Sequence, residues 1–185
     1  MNKFEFASEH INLCIDNVYY PGLQDACRQV LQLPGFDAAY GSLGSHHAYP
    51  GGLLVHTAEV LSYALAMAEG INNSVADEYQ YIDSDVITVA AVFHDCMKIK
   101  DYTETGQKTQ YRKLVRHLSG SHAYFLMCIE GKELPSDMTE NIENCILAHH
   151  GRQEWGSPVE PQTPEAYILH TADMLSVNFG PNAKI

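Results

Sequence analysis

The sequence predicts an all-α domain of six to eight helices, and three observations carry that reading. Proline and glycine punctuate the chain at Pro21-Gly22, Pro34-Gly35, Pro50-Gly51-Gly52, Gly131, Gly151, Pro158, Pro161 and Pro164. Between these marks, apolar residues recur mostly with helical period. No segment shows a convincing strand alternation.

The elements follow in order. Gly22 to Leu33 places Leu23, Ala26, Cys27, Val30 and Leu31 on one stripe, which Pro34 ends. Leu53 to Ala68 is a longer apolar helix containing His56, Glu59, Val60 and Tyr63. Ser84-Asp85 is an N-cap signal for Val86 to Asp95. Lys100 to Gln110, polar and with Gly106, reads as a loop or short hairpin. Two helices follow, Tyr111 to Leu118 and Ser121 to Glu130, with a break at Gly120. Another runs from about Met138 to His150. Gly151 to Thr163 is a polar, Pro-rich loop, and Pro164 suits the first turn of a last helix through Val177.

A length of 185 residues holds one domain with a proper core and is short for two. Residues 1–45 read as a helical extension packed on a main unit, residues 46–185. The apolar share of 45% and charged share of 18% are those of a globular protein. The start, MNKFEFASEH, lacks the apolar run of a signal peptide, and no stretch approaches the roughly 18 apolar residues of a membrane span. Cys14, Cys27, Cys96, Cys128 and Cys145 include no CxxC pair, which argues for free thiols in a reducing cytoplasm. The formal charge of −12 disfavours extended nucleic acid, whose affinity rests on neutralised phosphates. A small phosphorylated molecule remains compatible, because bound cations can supply positive charge locally.

Ten histidines stand against eleven Lys plus Arg. His94 and Asp95 close the apolar run Val86 to Phe93, where an ionised carboxylate is costly unless paired or metal-bound. Alone, an HD dipeptide is weak evidence. It gains weight beside His56 in the helix after Gly51-Gly52, His117 and His122 around Gly120, and His149-His150 at the end of another apolar helix. Asp173 stands among Ala172, Met174, Leu175 and Val177, on the same helical face as His170.

The stretches HHAYPGGLLVHT (46–57), AAVFHDCMK (90–98), YRKLVRHLSG (111–120), ILAHHGRQEWGSP (146–158) and PEAYILHTADMLS (164–176) resemble the HD superfamily of metal-dependent phosphohydrolases, with its ligand order H…HD…H…H…D. The likeness is to the branch that includes the HD domain of a bacterial 3′-to-5′ exoribonuclease, and it covers about residues 46 to 178. The resemblance implies an HD-type helical bundle and a metal-activated water acting on a phosphoester of a nucleotide or similar small molecule. It implies His56, His94, Asp95 and Asp173 as ligands of a first metal. A second metal would share Asp95 and add His117 (alternative His122) and His149 (alternative His150). Lys98 corresponds to the lysine of the HDxGK motif and, with Arg152, is a candidate to stabilise charge on phosphate. The imidazole and carboxylate set suits Mn, Fe, Co, Ni or Zn better than Mg or Ca. Two departures bear on substrate fit: Met97 replaces the motif's Gly, and Val55 the usual Glu. The exoribonuclease's separate nucleic-acid-binding domain finds no counterpart in these 185 residues.

Several residues carry two readings. His46 and His47 are phosphate contacts or solvent-facing loop histidines, and His170 supports the metal centre or fills the core. Glu59 reads first as a solvated helix position and second as a partner orienting His56. Trp155 reads first as packing for its loop, second as a surface for a base; Arg152 is equally a plain loop residue. Tyr63, Met67 and Phe125 to Met127 read as core, His10 as surface, and Asp77, Glu78, Asp83 and Asp85 as a solvated loop with an N-cap. Two other functions fit the same fold: a di-iron oxygenase, and a catalytically idle domain that senses a nucleotide or binds a partner.

Overall fold

The computed structural model describes residues 1–44, 46–74 and 81–179. Eight α-helices stand among them: α1 (Lys3–Asp16), α2 (Pro21–Leu31), α3 (Gly52–Ser74), α4 (Ser84–Phe93), α5 (Gln110–Leu114), α6 (Arg116–Ile129), α7 (Ser136–Ala148) and α8 (Pro164–Phe179). Two short 3-10 turns, Cys96–Lys100 and Gln153–Trp155, follow α4 and α7. The expected hairpin is a tight turn in which Tyr102 and Lys108 form one isolated antiparallel bridge. Asp77 and Glu78 lie outside the described residues.

Local chemistry sets the helix ends. Asn2 caps α1 by accepting from the Phe4 and Glu5 amides while Glu5 accepts from the Asn2 amide, satisfying donors that a helix start leaves unpaired. Pro21 opens α2 where its missing N–H costs nothing. The cap of α4 is Asp83, one residue before the expected Ser84-Asp85, because its carboxylate accepts from the Asp85 and Val86 amides.

Helix α4 is the axis of the bundle. Every residue from Val86 to Phe93 is buried, so this helix has no polar face and neighbours must surround it. Helices α1, α2, α3, α6, α7 and α8 all pack on it. At roughly 1.5–3 kcal/mol for each fully buried large side chain, Ile87, Val89, Val92 and Phe93 anchor the fold. Ala7, Ile11 and Ile15 of α1 and Leu23, Ala26, Cys27 and Val30 of α2 belong to the same continuous core.

Two glycines fix how loops meet this core. A Cβ on Gly52 would stand 2.1 Å from the His47 carbonyl oxygen, so only glycine lets the 41–47 loop lie across the start of α3. That loop is held by Gly41 N–H donating to the His47 carbonyl and Leu53 N–H to the Ala39 carbonyl. Gly120, expected to break a helix, lies inside α6: a Cβ there would meet the Tyr111 hydroxyl at 1.9 Å and the Met97 Cβ at 3.1 Å. The break falls instead at Val115–Arg116, where Arg116 has φ 64°. Glycine at 120 serves close packing and not a turn.

Other expectations are corrected by burial. His10 is half-buried and bonds the Ser62 hydroxyl through Nε2 at 2.8 Å. Phe125 is core, but Leu126 and Met127 are exposed; Tyr63 and Met67 are partly buried against the core.

Candidate metal centre

The chain after α4 turns sharply at Asp95 into the 3-10 turn, and this delivers a carboxylate to the middle of the bundle. Asp95 is 1% exposed. Its Oδ2 lies 3.3 Å from His56 Nε2 of α3 and 3.4 Å from His94 Nε2. Its Oδ1 lies 3.3 Å from His117 Nε2 of α6 and 3.6 Å from His149 Nε2 beyond α7. Asp173 of α8 closes the first side, with Oδ1 3.2 Å from His56 Nε2. His150 closes the second, its Nε2 3.4 Å from His117 Nε2.

Each of the five imidazoles is turned the same way. His94 Nδ1 donates to the Ala91 carbonyl and His149 Nδ1 to the Ile146 carbonyl, both at 2.7 Å. The device is identical: a histidine just past a helix end uses the carbonyl three residues back, in a turn whose carbonyls lack helical partners. His150 Nδ1 donates to the Trp155 carbonyl at 3.1 Å, and His117 Nδ1 to Asp101 Oδ2 at 2.8 Å. His56 Nδ1 donates to the Ser176 hydroxyl, which passes its own proton to Glu59 Oε2, both steps at 2.9 Å. Outer hydrogen bonds of this kind fix the tautomer and present the Nε2 lone pair inward, as metal-binding histidines require.

The donor set therefore fits divalent metal. Among the described residues, Asp95 Oδ1 accepts no well-aimed hydrogen bond and His149 Nε2 has no hydrogen-bond partner, while Oδ2 meets only the Lys98 ammonium besides the rings. Buried polar atoms left so are costly unless something else satisfies them. Electrostatics point the same way. Burial alone would raise the Asp95 carboxyl, but Lys98, His94 and His117 override it and hold it well below the usual carboxylate range. Asp173 is likewise held low, against burial, by its bond with His56. Burial opposes charge on His56, yet Asp173 and Asp95 raise its pKa above the ordinary value, so a proton stands where two carboxylates call for a cation. Burial lowers His94 and His117, keeping both neutral. His150 is pushed down to about 3 by burial, then by His149 and His117.

The remaining expected residues sit around this cluster. Lys98 is buried with its ammonium on Asp95 Oδ2, and Asp95 and Asp173 keep it charged in spite of burial. His46 and His47 are buried instead of solvent-facing. The His46 ring lies 5.3 Å from that of His56, and its pKa is lowered by burial to about 4. His47 Nε2 faces Glu59 Oε2 at 3.1 Å, so Glu59 is tied to two histidine systems and not merely solvated. His170 Nδ1 donates to the His149 carbonyl at 2.7 Å and so holds the loop behind His149. His122 instead pairs with Glu143 of α7 at 2.6 Å. Arg152 is exposed, its guanidinium 5.0 Å over the Trp155 ring. Trp155 is 51% exposed and lines a 270 Å³ cavity with His46, Lys98, His150 and Asp173, so it does more than pack its own loop.

The family model described as HD domain matches residues 53–178, a span that contains all of these facing groups except His46 and His47. The chain belongs to the HD-domain family. Proteins similar to it include the 3′-5′ exoribonuclease YhaM of Bacillus licheniformis, 32% identical over 133 residues, covering 71% of this chain and 40% of the relative. The enzyme of the same name from Bacillus subtilis is 31% identical over the same shares. That from Listeria innocua is 26% identical over 189 residues, covering 100% of this chain and 58% of the relative. This chain thus spans less than two thirds of the length of these relatives. No solved structure matches it. It is an HD-domain chain related to the YhaM branch. Among the described residues no helix is long and apolar enough to cross a membrane.

Sequence reasoning missed Asp101 and Ser176. Asp101 is completely buried and also holds Arg112 at 2.9 Å. Its only signal was a carboxylate six residues past Asp95 beside a basic segment. Ser176, three residues after Asp173, shared that residue's helical face.

Proposed function

We propose that this chain hydrolyses a phosphoester of a nucleotide, holding one or two divalent transition-metal ions between His56, His94, Asp95 and Asp173 on one side and Asp95, His117 and His149 on the other. The observation that carries the reading is the common orientation of five imidazoles, Nε2 inward, around one buried carboxylate whose only cationic side-chain partner outside the rings is Lys98. Bound divalent ions lower the pKa of a coordinated water toward about 7 and so make hydroxide available at neutral pH.

The protein's own groups supply the rest. Asp95 offers one oxygen to each side of the centre. Asp101, Ser176 and the Ala91 and Ile146 carbonyls hold the rings in position, so little reorganisation is needed when substrate arrives. Lys98, charged and at the wall of the 270 Å³ cavity, meets a phosphoryl oxygen. His46 lines the same cavity and offers a neutral ring to the substrate, while His47 is held by Glu59 and supports it. Arg152 is assigned to the rim beside Trp155. His150 is the reserve ligand of the second side, through its approach to His117.

An imidazole-rich set favours Mn, Fe, Co, Ni or Zn over Mg or Ca. The relatives' name brings a ribonucleotide phosphodiester into the reading, and weakens the expectation from net charge that extended nucleic acid is no partner. The reading includes a cytoplasmic setting, in keeping with five free cysteines, and residues 1–45 acting as an extension packed on the HD unit.

Elemental analysis of the purified protein, paired with a Mn²⁺-supplemented phosphatase and phosphodiesterase screen on wild type and Asp95→Ala, tests this. One or two transition-metal ions per chain and a phosphoester that only wild type hydrolyses are expected. Metal without turnover of any phosphoester would favour an oxygenase or a sensor, and absence of bound metal would overturn the reading.

A further inference from the structure

A second cavity, of 430 Å³, meets the metal centre at one side chain. Among the described residues only Lys98 lines both it and the 270 Å³ cavity, and the Lys98 ammonium lies on Asp95 Oδ2. A group held in the larger space is therefore one buried cation away from the position assigned to phosphate. The volume falls within the range of about 300–1,000 Å³ typical of small-molecule sites. Its walls suit a flat ring: Tyr40 and Tyr102 line it together with Pro34, Ala39, Pro50 and Ile99.

Both tyrosines are held in place before any ligand arrives. The Tyr102 hydroxyl accepts an Arg112 N–H at 2.7 Å, and the guanidinium carbon lies 4.9 Å over its ring. Tyr40 packs against the turn at Gly106, where a Cβ would stand 3.5 Å from the ring's Cζ. The Leu53 N–H donates to the Ala39 carbonyl and ties the loop that carries Tyr40 to α3. Rings fixed in this way lose little freedom when a ligand stacks on them. Glu104 is the one carboxylate in the lining; it is exposed and, among the described residues, has no Lys or Arg within 4.0 Å. An ionised carboxylate only accepts hydrogen bonds, so it favours a ring whose edge donates.

We infer that the 430 Å³ cavity is the base pocket of the centre, and that it selects a base with an exocyclic amino group. This rests on the phosphohydrolase reading above. The base lies against Tyr40 and Tyr102, its amino group donates to Glu104, and the phosphate reaches Lys98. Acidic side chains read the cytosine amino group in the same way, whereas uracil presents a carbonyl oxygen at that position and meets the carboxylate with like polarity. Pro34, Tyr40 and Pro50 precede residues 53–178, so the base is gripped by a loop outside the span that the HD family shares. Tyr40 and Glu104 are thus specificity-determining residues, separate from the groups that hold metal.

Methylenephosphonate analogues of CMP, UMP and ribose 5-phosphate, which resist hydrolysis, are titrated calorimetrically into the full chain in the presence of Mn²⁺. The cytidine analogue is expected to bind most tightly, about fivefold above the uridine analogue, and both about tenfold or more above the analogue without a base. Tyr40→Ala is expected to weaken both nucleoside analogues about tenfold and to leave the ribose analogue as it was, which a misfolded variant could not do. Glu104→Ala is expected to bring cytidine down to uridine and leave uridine unchanged. A cytidine analogue that binds no tighter than the ribose analogue would overturn the inference while leaving the hydrolase reading intact. A loss of nucleoside affinity in Trp155→Ala but not in Tyr40→Ala would also overturn it, by placing the base on that indole. Conversely, a wild type that turns over no phosphoester, yet loses nucleoside affinity in Tyr40→Ala, would sink the hydrolase reading and leave the base pocket standing.

Discussion

The two sides of Asp95 are built from different parts of the fold, and the contrast explains what each can do. On the Oδ2 side, His56 and Asp173 come from α3 and α8 and His94 from the C-cap of α4, apolar helices that make the core. Moving any of them means repacking buried aliphatic side chains. On the Oδ1 side, His117 comes from the first turn of α6, just after a backbone break, and His149 and His150 from the end of α7 and its loop. Here position rests on hydrogen bonds, chiefly a buried carboxylate, Asp101, on His117. One side is set by packing and borders the 270 Å³ cavity through Asp173; the other is set by polar contacts and borders a cleft lined by Lys108, Arg112, Lys113 and Arg116.

Asp95 belongs to both sides, so its loss has the largest expected effect. Asp95→Ala is expected to lower kcat by roughly 10³-fold or more, since it removes the group on which both sides converge. Metal content should fall with it. Asp95→Asn, of equal volume, keeps the fold testable: near-UV circular dichroism like that of wild type with no activity locates the loss in the centre. Activity within tenfold of wild type in both variants would contradict a shared carboxylate.

Asp101→Asn separates the two sides. The amide keeps the shape but cannot hold the His117 N–H as a carboxylate does, and outer partners of metal-bound histidines are worth about 10–100-fold in affinity. A calorimetric titration of apo protein is expected to show the weaker binding step shifted by that amount and the tighter one unchanged. Equal shifts in both steps would mean that the sides are one mechanical unit.

What was legible in the sequence follows the same division. The packed side could be read directly, because apolar periodicity locates α3, α4 and α8, and a histidine or aspartate interrupting an apolar helix is visible against it. His56, His94 and Asp173 emerge from that contrast, and the structure brings them together with Asp95. The polar side was legible only as alternatives. His117 and His122 lie five residues apart on one helix, and nothing local says that one faces Asp95 and the other Glu143. His149 and His150 both turn inward because α7 ends at Ala148, just before them. Asp101 and Ser176 escaped because orienting partners are chosen by tertiary distance, 16 and 120 positions from the rings they hold. Gly120 reads as a break because glycine serves turns as well as close approach, and only the fold tells the two apart.

Proton binding distinguishes the sides more gently. In chelator-treated protein, His94, His117, His46 and His150 have folded pKa values below the unfolded value, the last two at about 4 and about 3. Below pH ~6.5 the unfolded chain takes up protons that the folded chain refuses, so stability falls as pH falls through that window. His56 has the opposite sign: its contribution is full below pH ~6.5 and is lost as pH rises through its raised folded value. Four groups oppose one, so Tm of the chelated protein is expected to drop between pH 7 and pH 5. His150→Gln should flatten that dependence, whereas Tm independent of pH over this range would show these rings to be accessible to solvent protons.

The smallest effect is expected from Ser176→Ala, and it sharpens the comparison most. His56 receives the influence of Glu59 only through a hydroxyl, whereas His117 meets the Asp101 carboxylate directly. A neutral acceptor forms a weaker bond than an ionised one, by about a factor of two. Packing of α3 against α8 also holds the His56 ring whether or not the hydroxyl is present. Ser176→Ala should therefore cost about tenfold or less in affinity for the tighter ion, at the low end of the range for such partners. Glu59→Gln should cost at least as much, because it weakens the same hydroxyl relay and also loses the His47 contact. A loss for Ser176→Ala as large as that for Asp101→Asn would mean that hydrogen bonds, not helix packing, set the position of the metal on both sides of Asp95.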